Sequence, residues 1–212
     1  MEIKKGAEAP NSIPPETELI RPKELSVVYC ERKEIKSFIE KHHYSKSING
    51  VKSSFCFKVL FKGRIVGAVL FGQLSTTAWK KFSRREEEVL ELRRLVMLDE
   101  AGKNCESRVI SQCLKHIRRT CNTIKCVVSY ADPNYGHTGV IYRASNFEFV
   151  GMSGKDNGFI NKETGRLYHS RALRTKYKGE YKPFVKKLRE KLEAGLLEPI
   201  ELKPKYCYVY HM

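Results

Sequence analysis

The sequence has few of the features that direct a chain out of the cytoplasm. No run approaches the ~20 consecutive apolar residues that a membrane-spanning helix needs. The first residues, MEIKKGAEAPNSIPPETELIRPK, contain no apolar stretch of the kind found in a signal peptide. The seven cysteines include no CxxC pair, and their odd number argues against a fully paired disulfide framework. We therefore expect a soluble protein of the reducing cytoplasm.

Acidic residues are scarce relative to basic ones. The chain has 24 Asp and Glu against 40 Lys and Arg, which gives a formal net charge of +16, and the basic residues are spread along its length. Such an excess indicates a polyanionic partner, most simply a nucleic acid. A pI near 9.6 by itself does not distinguish DNA from RNA or from an acidic membrane. With 41% hydrophobic residues, the chain can still bury a core.

The chain divides into a short lead-in and one larger unit. Residues 1–24 hold four of the eight prolines together with scattered charges, which predicts a flexible N-terminal lead-in. Residues 25–212 are predicted to form a single domain. No internal repeat is present.

Hydrophobic periodicity in residues 25–212 predicts an α/β order of elements. In chain order, the patterns are a strand (LSVVYC), a helix (ERKEIKSFIEKHH), a hairpin about Lys62-Gly63, a strand (ELRRLVMLDE), a helix (Glu106 to Cys121), a buried strand (IKCVVSY), a short helix (Gly139 to Ser145), a strand (FEFVG), a hairpin with the turn NKETG, a basic helix (Tyr181 to Ala194) and a closing strand (YCYVYH). The first half should be mostly antiparallel, with a parallel crossover in the middle.

That order resembles the GNAT acyltransferase fold, a central mixed sheet flanked by helices. The stretch VVSYADPNYGHTGVIYRASNFEFVG is similar to the strand, short helix and Tyr-containing Gly-Phe ending of that superfamily, with Asn146-Phe147 in place of Gly-Phe. The resemblance places Tyr142 where such enzymes keep a tyrosine that protonates the departing carrier. The usual pyrophosphate loop is absent, and DEAGKNCESR, with the single Gly102, stands in its place.

Four ordered motifs resemble, more narrowly, the Mom family of Mu-like phages: KHHYSKS, ELRRLVMLDEAGKNCESRVI, SYADPNYGHTGVIYRASNF and YHSRAL. The resemblance implies an anti-restriction enzyme that acts on double-stranded phage DNA. It implies conversion of the exocyclic amine of adenine to a carbamoylmethylamino group.

Candidate site residues follow from the elements that precede them. Asp132 comes directly after a buried strand, where open α/β sheets form clefts, and could orient an amine or take its proton. A role within the Asp-Pro-Asn turn is the alternative. Tyr135 and His137 share the loop with Asp132, whereas His43 and Tyr44 end the first helix. His42 is interpreted as a core residue.

The same residues are also candidates for metal ligands. The histidines, together with Asp132, could form a proton-handling cluster or a 2-His-1-carboxylate iron site, although the histidines do not have ligand spacing in the sequence.

Three further groups are candidates for binding. The helix that begins near Asn104 directs unpaired amides toward an anion, and Gly102, Ser107 and Arg108 lie beside it. The alternative is that Asn104 caps the helix and Arg108 is solvated. Trp79, among lysines and arginines, would stack on a base or fill the core. The sequence His169-Ser170-Arg171 matches the family motif HSR and is assigned to the substrate.

The donor is open between an acyl-CoA and glycyl-tRNA. A carbamoylmethyl group has the same atoms as a glycyl group, so glycyl transfer followed by migration of the ring carbon between two nitrogens gives the product without oxidation. Two other functions stay open: a coenzyme A-dependent N-acetyltransferase of a protein or small amine, and a non-catalytic nucleic-acid-binding protein.

Overall fold

The computed structural model describes residues 19–48, 51–74 and 77–212. Most of the predicted lead-in, residues 1–18, lies outside these ranges, and the division of the chain at residue 24 stays a prediction. Within the described ranges, no helix combines the length and apolar character needed to cross a membrane.

A seven-stranded mixed sheet forms the centre of the fold. Its strands lie in the order β1-β2-β3-β4-β5-β12-β6. Their bounds are β1 Ser26–Tyr29, β2 Phe55–Phe61, β3 Arg64–Gly72, β4 Val89–Met97, β5 Cys126–Ala131, β6 Glu148–Met152 and β12 Tyr206–His211. Only β4 and β5 pair in parallel, and all other neighbours are antiparallel. The sheet confirms the predicted α/β class with its parallel crossover, although β12 lies between β5 and β6 rather than at an edge.

Helices cover both faces of this sheet. They are α1 Arg32–His42, α2 Cys105–Thr120 and α3 Val140–Arg143, whereas a further helix, α4 Pro183–Glu193, packs against a separate cluster that contains Leu173 and Leu197. Helix α2 buries one stripe, including Val109, Cys113 and Ile117, against the largest core cluster, as its periodicity predicts. Helix α1 buries Ile35 and Ile39 against a second cluster. Side chains alternate along β5, so that Val127 joins the first core and Val128 joins a third cluster, which contains Trp79.

Strands β4 and β5 separate part-way along their length. Their parallel pairing covers Val89 to Glu91 on β4 and ends at the pair Glu91 and Val128. On the other side of β4, the register with β3 shifts opposite Leu70 and Phe71, which leaves Arg93 without a partner in that ladder. We call the opening beyond Glu91 and Val128 the fork. Its edges are the remainder of β4 and the end of β5.

After β6 the chain forms a second, three-stranded sheet, of which the sequence predicted only two strands. The order is β11-β7-β8, with β7 Asp156–Asn161, β8 Leu167–His169 and β11 Leu197–Leu202. The β7–β8 hairpin was expected, but β11 was missed because LEPIEL alternates weakly and contains a proline. A small hairpin, β9 Lys176–Tyr177 with β10 Glu180–Tyr181, lies between η5, a 3₁₀ helix at Ser170–Arg174, and α4.

The last residues of the predicted lead-in pack onto the domain. Ile20 is 2% exposed, forms a bridge with Ala101 and accepts a hydrogen bond from the Gly102 amide at 3.0 Å. The Cys105 thiol donates to the same carbonyl at 3.2 Å. This segment is therefore held against the loop between β4 and α2, because an apolar side chain and a carbonyl both find partners there.

Candidate active site

Glu91 and Arg93 meet where β4 and β5 part. A carboxylate oxygen of Glu91 lies 2.9 Å from Nη1 of Arg93, and both side chains are less than 20% exposed. The same Nη1 donates to the Gln73 carbonyl at 2.7 Å. Burial raises the pKa of Glu91, and the opposing charges of Arg93 and Arg94 do not cancel this effect. Glu91 is therefore a carboxyl group that takes up a proton more readily than one in water.

Asp132 lies at the end of β5, as predicted, but both of its oxygens are engaged. Oδ1 accepts from the backbone amide of Asn134 at 3.0 Å and from its side chain at 2.8 Å, and Oδ2 lies 2.9 Å from Nζ of Lys205. Burial alone would raise the pKa of Asp132, but the bonds from Lys205 and Asn134 outweigh it and hold that pKa below its ordinary value. Asp132 is 3% exposed. It is an ionised anchor in a turn.

The loop that follows Asp132 is fixed to β12. The Tyr208 hydroxyl donates to the Thr138 carbonyl at 2.8 Å. Gly139 has φ +79, and a Cβ there would come within 2.3 Å of the Tyr208 ring. Further along, Asn146 has φ 62, a left-handed conformation that asparagine tolerates better than most residues. This backbone conformation is compatible with the predicted match of Asn146-Phe147 to a Gly-Phe ending.

Four aromatic side chains from two loops meet beside this turn, and we call them the ring cluster: His43, Tyr44, Tyr135 and His137. Tyr44 is its centre, with ring centroids 4.2 Å from His43, 4.4 Å from Tyr135 and 5.2 Å from His137. Tyr44 and Tyr135 are 44% and 40% exposed. The structure thus brings together four residues that the sequence placed in two separate motifs.

The electrostatic surroundings set the proton state of the ring cluster. Burial lowers the pKa of His43 to about 3, and the nearby Arg94 adds to this effect. Its Nδ1 accepts from the Ser45 amide at 3.1 Å, so the neutral ring carries its proton on Nε2. Burial raises the pKa of Tyr44 to about 12, although Arg94 opposes the shift. Both rings are therefore neutral near pH 7.

Arg94 joins β4 to the loop that carries the first two rings. Its guanidinium donates to the Ser47 carbonyl at 3.3 Å and to the Arg93 carbonyl at 2.6 Å. Burial lowers its pKa. Because these hydrogen bonds go to carbonyls rather than carboxylates, Arg94 keeps a net positive charge beside Tyr44.

Tyr142 lies on α3 and is 9% exposed. Its ring packs against Phe147 and Tyr208, and the Ser129 hydroxyl lies beside its own hydroxyl. Burial raises the pKa of Tyr142, so the phenol keeps its proton.

The residues predicted to bind a cofactor gather at the start of α2. Asn104 occupies the N-cap position with φ 69 and its side chain makes no capping bond, so it is not a side-chain cap. The Ser107 hydroxyl donates to the Asn104 carbonyl at 3.1 Å, and Arg108 is exposed. Gly102 is buried, and a Cβ there would lie 2.9 Å from the Ile20 carbonyl. Its amide is already bonded to Ile20.

The residues predicted to bind substrate are dispersed. His169 lies at the end of β8 with Nδ1 3.1 Å from Asp156, and burial lowers its pKa. Ser170 is half-buried, and Arg171 is exposed and close enough to influence Glu91. Trp79 is half-buried, packs against the third core cluster and lies under the Lys80 ammonium at 5.6 Å. The core-filling interpretation fits Trp79 best.

The site does not fit the iron centre considered from the sequence. Among residues 19–48, 51–74 and 77–212, no three His, Cys, Asp or Glu side chains are grouped as metal ligands. Both Asp132 oxygens are bonded within the turn, and Nδ1 of His43 accepts from Ser45.

Four residues of the site were missed from the sequence: Glu91, Arg93, Arg94 and Lys205. The first three lie in the strand pattern ELRRLVML, where two arginines and an acid inside an apolar run were a usable signal. Lys205 follows β11 in a Lys-Pro-Lys stretch that has no distinguishing pattern.

Comparison with known proteins agrees with this architecture. A polyamine N acetyltransferase from Drosophila melanogaster is similar with a TM-score of 0.51 and 12% identity, over 89% of this chain and all of that one. A GNAT family acetyltransferase from Elizabethkingia anophelis, solved with acetyl-CoA bound, has a TM-score of 0.46 and 8% identity over 89% of this chain and 99% of its own. The predicted GNAT-like fold is confirmed.

The sequence comparisons are more specific. The chain is 34% identical over 120 residues to the methylcarbamoylase mom of Escherichia phage Mu, a match that covers 55% of this chain and 49% of the relative. The chain thus spans about half the length of that relative. The family model described as the Mom protein family matches residues 24–212. The chain therefore belongs to the Mom protein family.

Proposed function

We propose that the chain is an acyltransferase-type enzyme that converts the exocyclic amine of adenine in double-stranded DNA to a carbamoylmethylamino group, in the cytoplasm of a phage-infected host. The observation that carries the proposal is the ring cluster, whose exposed Tyr44 and Tyr135 stand beside the fork of an acetyltransferase fold in a Mom-family chain. The similarity to a relative named a methylcarbamoylase supports the nature of the added group.

The exposed tyrosines supply the base-binding surface. An adenine inside a duplex must leave the stack to be modified, which costs a few kcal/mol. Stacking on an aromatic side chain returns about 1–3 kcal/mol per base. Tyr44 and Tyr135 offer such faces, and the positively charged Arg94 and Arg171 lie nearby for the nucleotide phosphate.

Proton transfer is assigned to two groups, Glu91 and Tyr142. Asp132, predicted as the catalytic acid-base group, acts better as a positioning residue because its oxygens are bonded to Asn134 and Lys205. Glu91, with its raised pKa, is the better acceptor for the adenine amine proton. Tyr142 keeps its proton at neutral pH and is the donor to the departing carrier, as the GNAT resemblance implies.

The donor we favour is glycyl-tRNA. The adenine amine attacks the glycyl ester carbonyl, the tRNA hydroxyl departs with a proton, and an N-glycyl adenine forms. The glycyl amine then attacks the purine carbon, the original carbon–nitrogen bond breaks, and that nitrogen departs as the amide of the carbamoylmethyl group. No oxidant or reductant is consumed. Proximity of amine and ring carbon assists the second step.

An acyl-CoA is the competing donor. A solved neighbour with this fold holds acetyl-CoA, and the first turn of α2 has no side-chain cap at Asn104. Against this, the Gly102 amide already donates to Ile20, which removes one donor from the loop where a pyrophosphate would bind.

The proposal is tested by incubating purified protein and a duplex oligonucleotide with one of two labelled donors, glycyl-tRNA or acetyl-CoA. We expect label from glycyl-tRNA to enter the DNA, and Glu91→Gln to abolish labelling while duplex binding stays at the wild-type level and circular dichroism shows that the variant is folded. Labelling from acetyl-CoA alone, on protein or a small amine and without DNA, would replace the proposal with an N-acetyltransferase. Unchanged labelling in both Glu91→Gln and Tyr142→Phe would remove the assigned acid-base pair.

A further inference from the structure

A strongly basic segment lies outside the ring cluster and the fork. Between residues 171 and 189 the chain has eight Lys and Arg and a single acidic residue, Glu180. We call these eight side chains the basic face: Arg171, Arg174, Lys176, Lys178, Lys182, Lys186, Lys187 and Arg189. Seven of them are exposed, and Lys182 is half-buried. In the part of the chain that the structure describes, none of the eight forms an ion pair with a carboxylate.

Aromatic rings, in place of carboxylates, hold four of these eight cations. The Tyr181 ring lies under Lys176 at 4.9 Å and under Arg189 at 4.8 Å. The Tyr177 ring lies under Lys178 at 5.8 Å and Lys182 at 6.0 Å. A cation on an aromatic face keeps its full charge and its outward hydrogen-bond donors. These four members of the basic face are therefore held in place without being neutralised.

The scaffold beneath the basic face restricts its movement. Lys178 and Gly179 both have positive φ, the conformation of a tight two-residue hairpin turn. The Arg189 guanidinium donates to the Tyr181 hydroxyl at 3.4 Å and so joins the hairpin to α4. Helix α4 buries Val185 and Leu188, which turns its lysines outward. A surface held in this way loses little side-chain entropy on binding.

The basic face begins at the edge of the site. Arg171 is its first member and is close enough to Glu91 and His169 to influence both. From there the cations continue through the hairpin to the outer side of α4. Tyr177, 65% exposed at the hairpin, adds a planar surface among them.

We infer that the basic face binds the phosphate backbone of duplex DNA on one side of the target adenine. The inference rests on the proposed function for the identity of the nucleic acid. Unneutralised cations arrayed outward from the site suit the evenly spaced phosphates that flank a flipped nucleotide. The basic face carries no sequence preference of its own, since phosphate contacts position the protein without reading bases.

The test compares two triple variants that remove the same charge. Lys176→Gln, Lys178→Gln and Lys186→Gln alter the basic face, and Lys115→Gln, Arg119→Gln and Lys125→Gln alter exposed positions at and after α2. Binding of a fluorescent duplex is measured over a range of salt concentrations. We expect the basic-face variant to lower the log-log salt slope by about 2 to 3, since each phosphate contact contributes about 0.9. The α2-side variant should keep the wild-type slope.

Other outcomes of this test would overturn the inference. An equal fall in the salt slope in both triple variants, or no fall in the basic-face variant, would overturn the inference. A basic-face variant that loses binding to transfer RNA but retains duplex binding would overturn it as well, and would assign the basic face to RNA. Circular dichroism checks that each variant is folded. Duplex binding is measured without turnover. The inference can therefore fail while adenine modification persists, and adenine modification can fail while the basic face still binds duplex DNA.

Discussion

Lys205 and Asp132 form an ion pair at 2.9 Å that joins the loop after β11 to the turn after β5. The two residues are 73 positions apart in the chain. Asn134 reinforces the same junction, since its side chain donates to the Lys203 carbonyl at 3.1 Å and accepts from the Lys203 amide at 3.0 Å. The turn that carries Tyr135 and His137 is thereby held by the segment that links the second sheet to the first.

Removal of the Lys205 charge should destabilise the protein. Lys205→Gln leaves the buried Asp132 carboxylate without its cation, and we expect a loss of about 2 kcal/mol in unfolding free energy, below the range for fully buried pairs because Lys205 is 26% exposed. Lys203→Gln, at an exposed neighbour whose backbone makes the bonds, should change stability little. Denaturant unfolding measures both.

The difference in unfolding free energy between wild type and Lys205→Gln should depend on pH. The pKa of Asp132 is lowered in the folded state, so its stabilisation is complete above the ordinary aspartate pKa and is lost as the pH falls through the folded value. The gap between wild type and Lys205→Gln should therefore narrow below about pH 4. A gap that stays constant down to pH 2 would contradict the ion-pair account.

His43 should make the fold sensitive to acid. Its pKa is lowered from 6.5 to about 3, so between these values the unfolded chain binds a proton that the folded chain does not. Stability should fall by up to about 1.4 kcal/mol per pH unit across that window. His43→Gln should flatten this part of the stability curve, because it removes the group that titrates. Equal slopes in wild type and His43→Gln would refute the assignment.

Gly139 and Gly136 provide a matched pair in one loop. Both have positive φ, +79 and +77, but a Cβ on Gly139 meets the Tyr208 ring at 2.3 Å whereas one on Gly136 meets nothing within 4 Å. Gly136→Ala should cost about 1 kcal/mol from backbone conformation alone. Gly139→Ala should cost about 1–3 kcal/mol more, because the ring or the loop must move. Thermal melting with similar losses for both would show that the loop does not need Tyr208.

The Tyr142 hydroxyl should matter for chemistry more than for stability. Tyr142→Phe keeps the ring contacts with Phe147 and Tyr208, so unfolding free energy should change by less than about 1.5 kcal/mol. The rate of DNA modification should fall about a hundredfold or more if the phenol is the acid. Tyr210→Phe removes a hydroxyl that accepts from Arg118 outside the site and should retain activity.

The strands and helices of the central sheet could be predicted because each has a period of its own. The run IKCVVSY and the stripe of α2 are unambiguous, and the Lys62-Gly63 turn marks its hairpin. The position of β12 between β5 and β6 could not be predicted, because no local pattern selects one antiparallel neighbour over another. The short pairs β9 and β10 have too few residues to show any period.

Some features of the site could likewise be predicted from the sequence, and others could not. Position after a strand located Asp132, and the family resemblance located Tyr142, but neither showed that Asp132 would be bonded on both oxygens. That property depends on Lys205, which folding brings from far along the chain. The ring cluster likewise joins residues 43 and 44 to residues 135 and 137 through tertiary packing. Glu91 acquires its raised pKa from burial, which sequence composition does not reveal.

Mass spectrometry of nucleosides from DNA isolated from cells that express this chain tests the central claim most directly. The account predicts a deoxyadenosine heavier by one glycyl residue, which yields carbamoylmethylaminopurine on fragmentation, and its absence in cells that express folded Glu91→Gln or Tyr142→Phe. Unmodified deoxyadenosine in the presence of folded, DNA-bound wild-type protein supplied with both donors would contradict it.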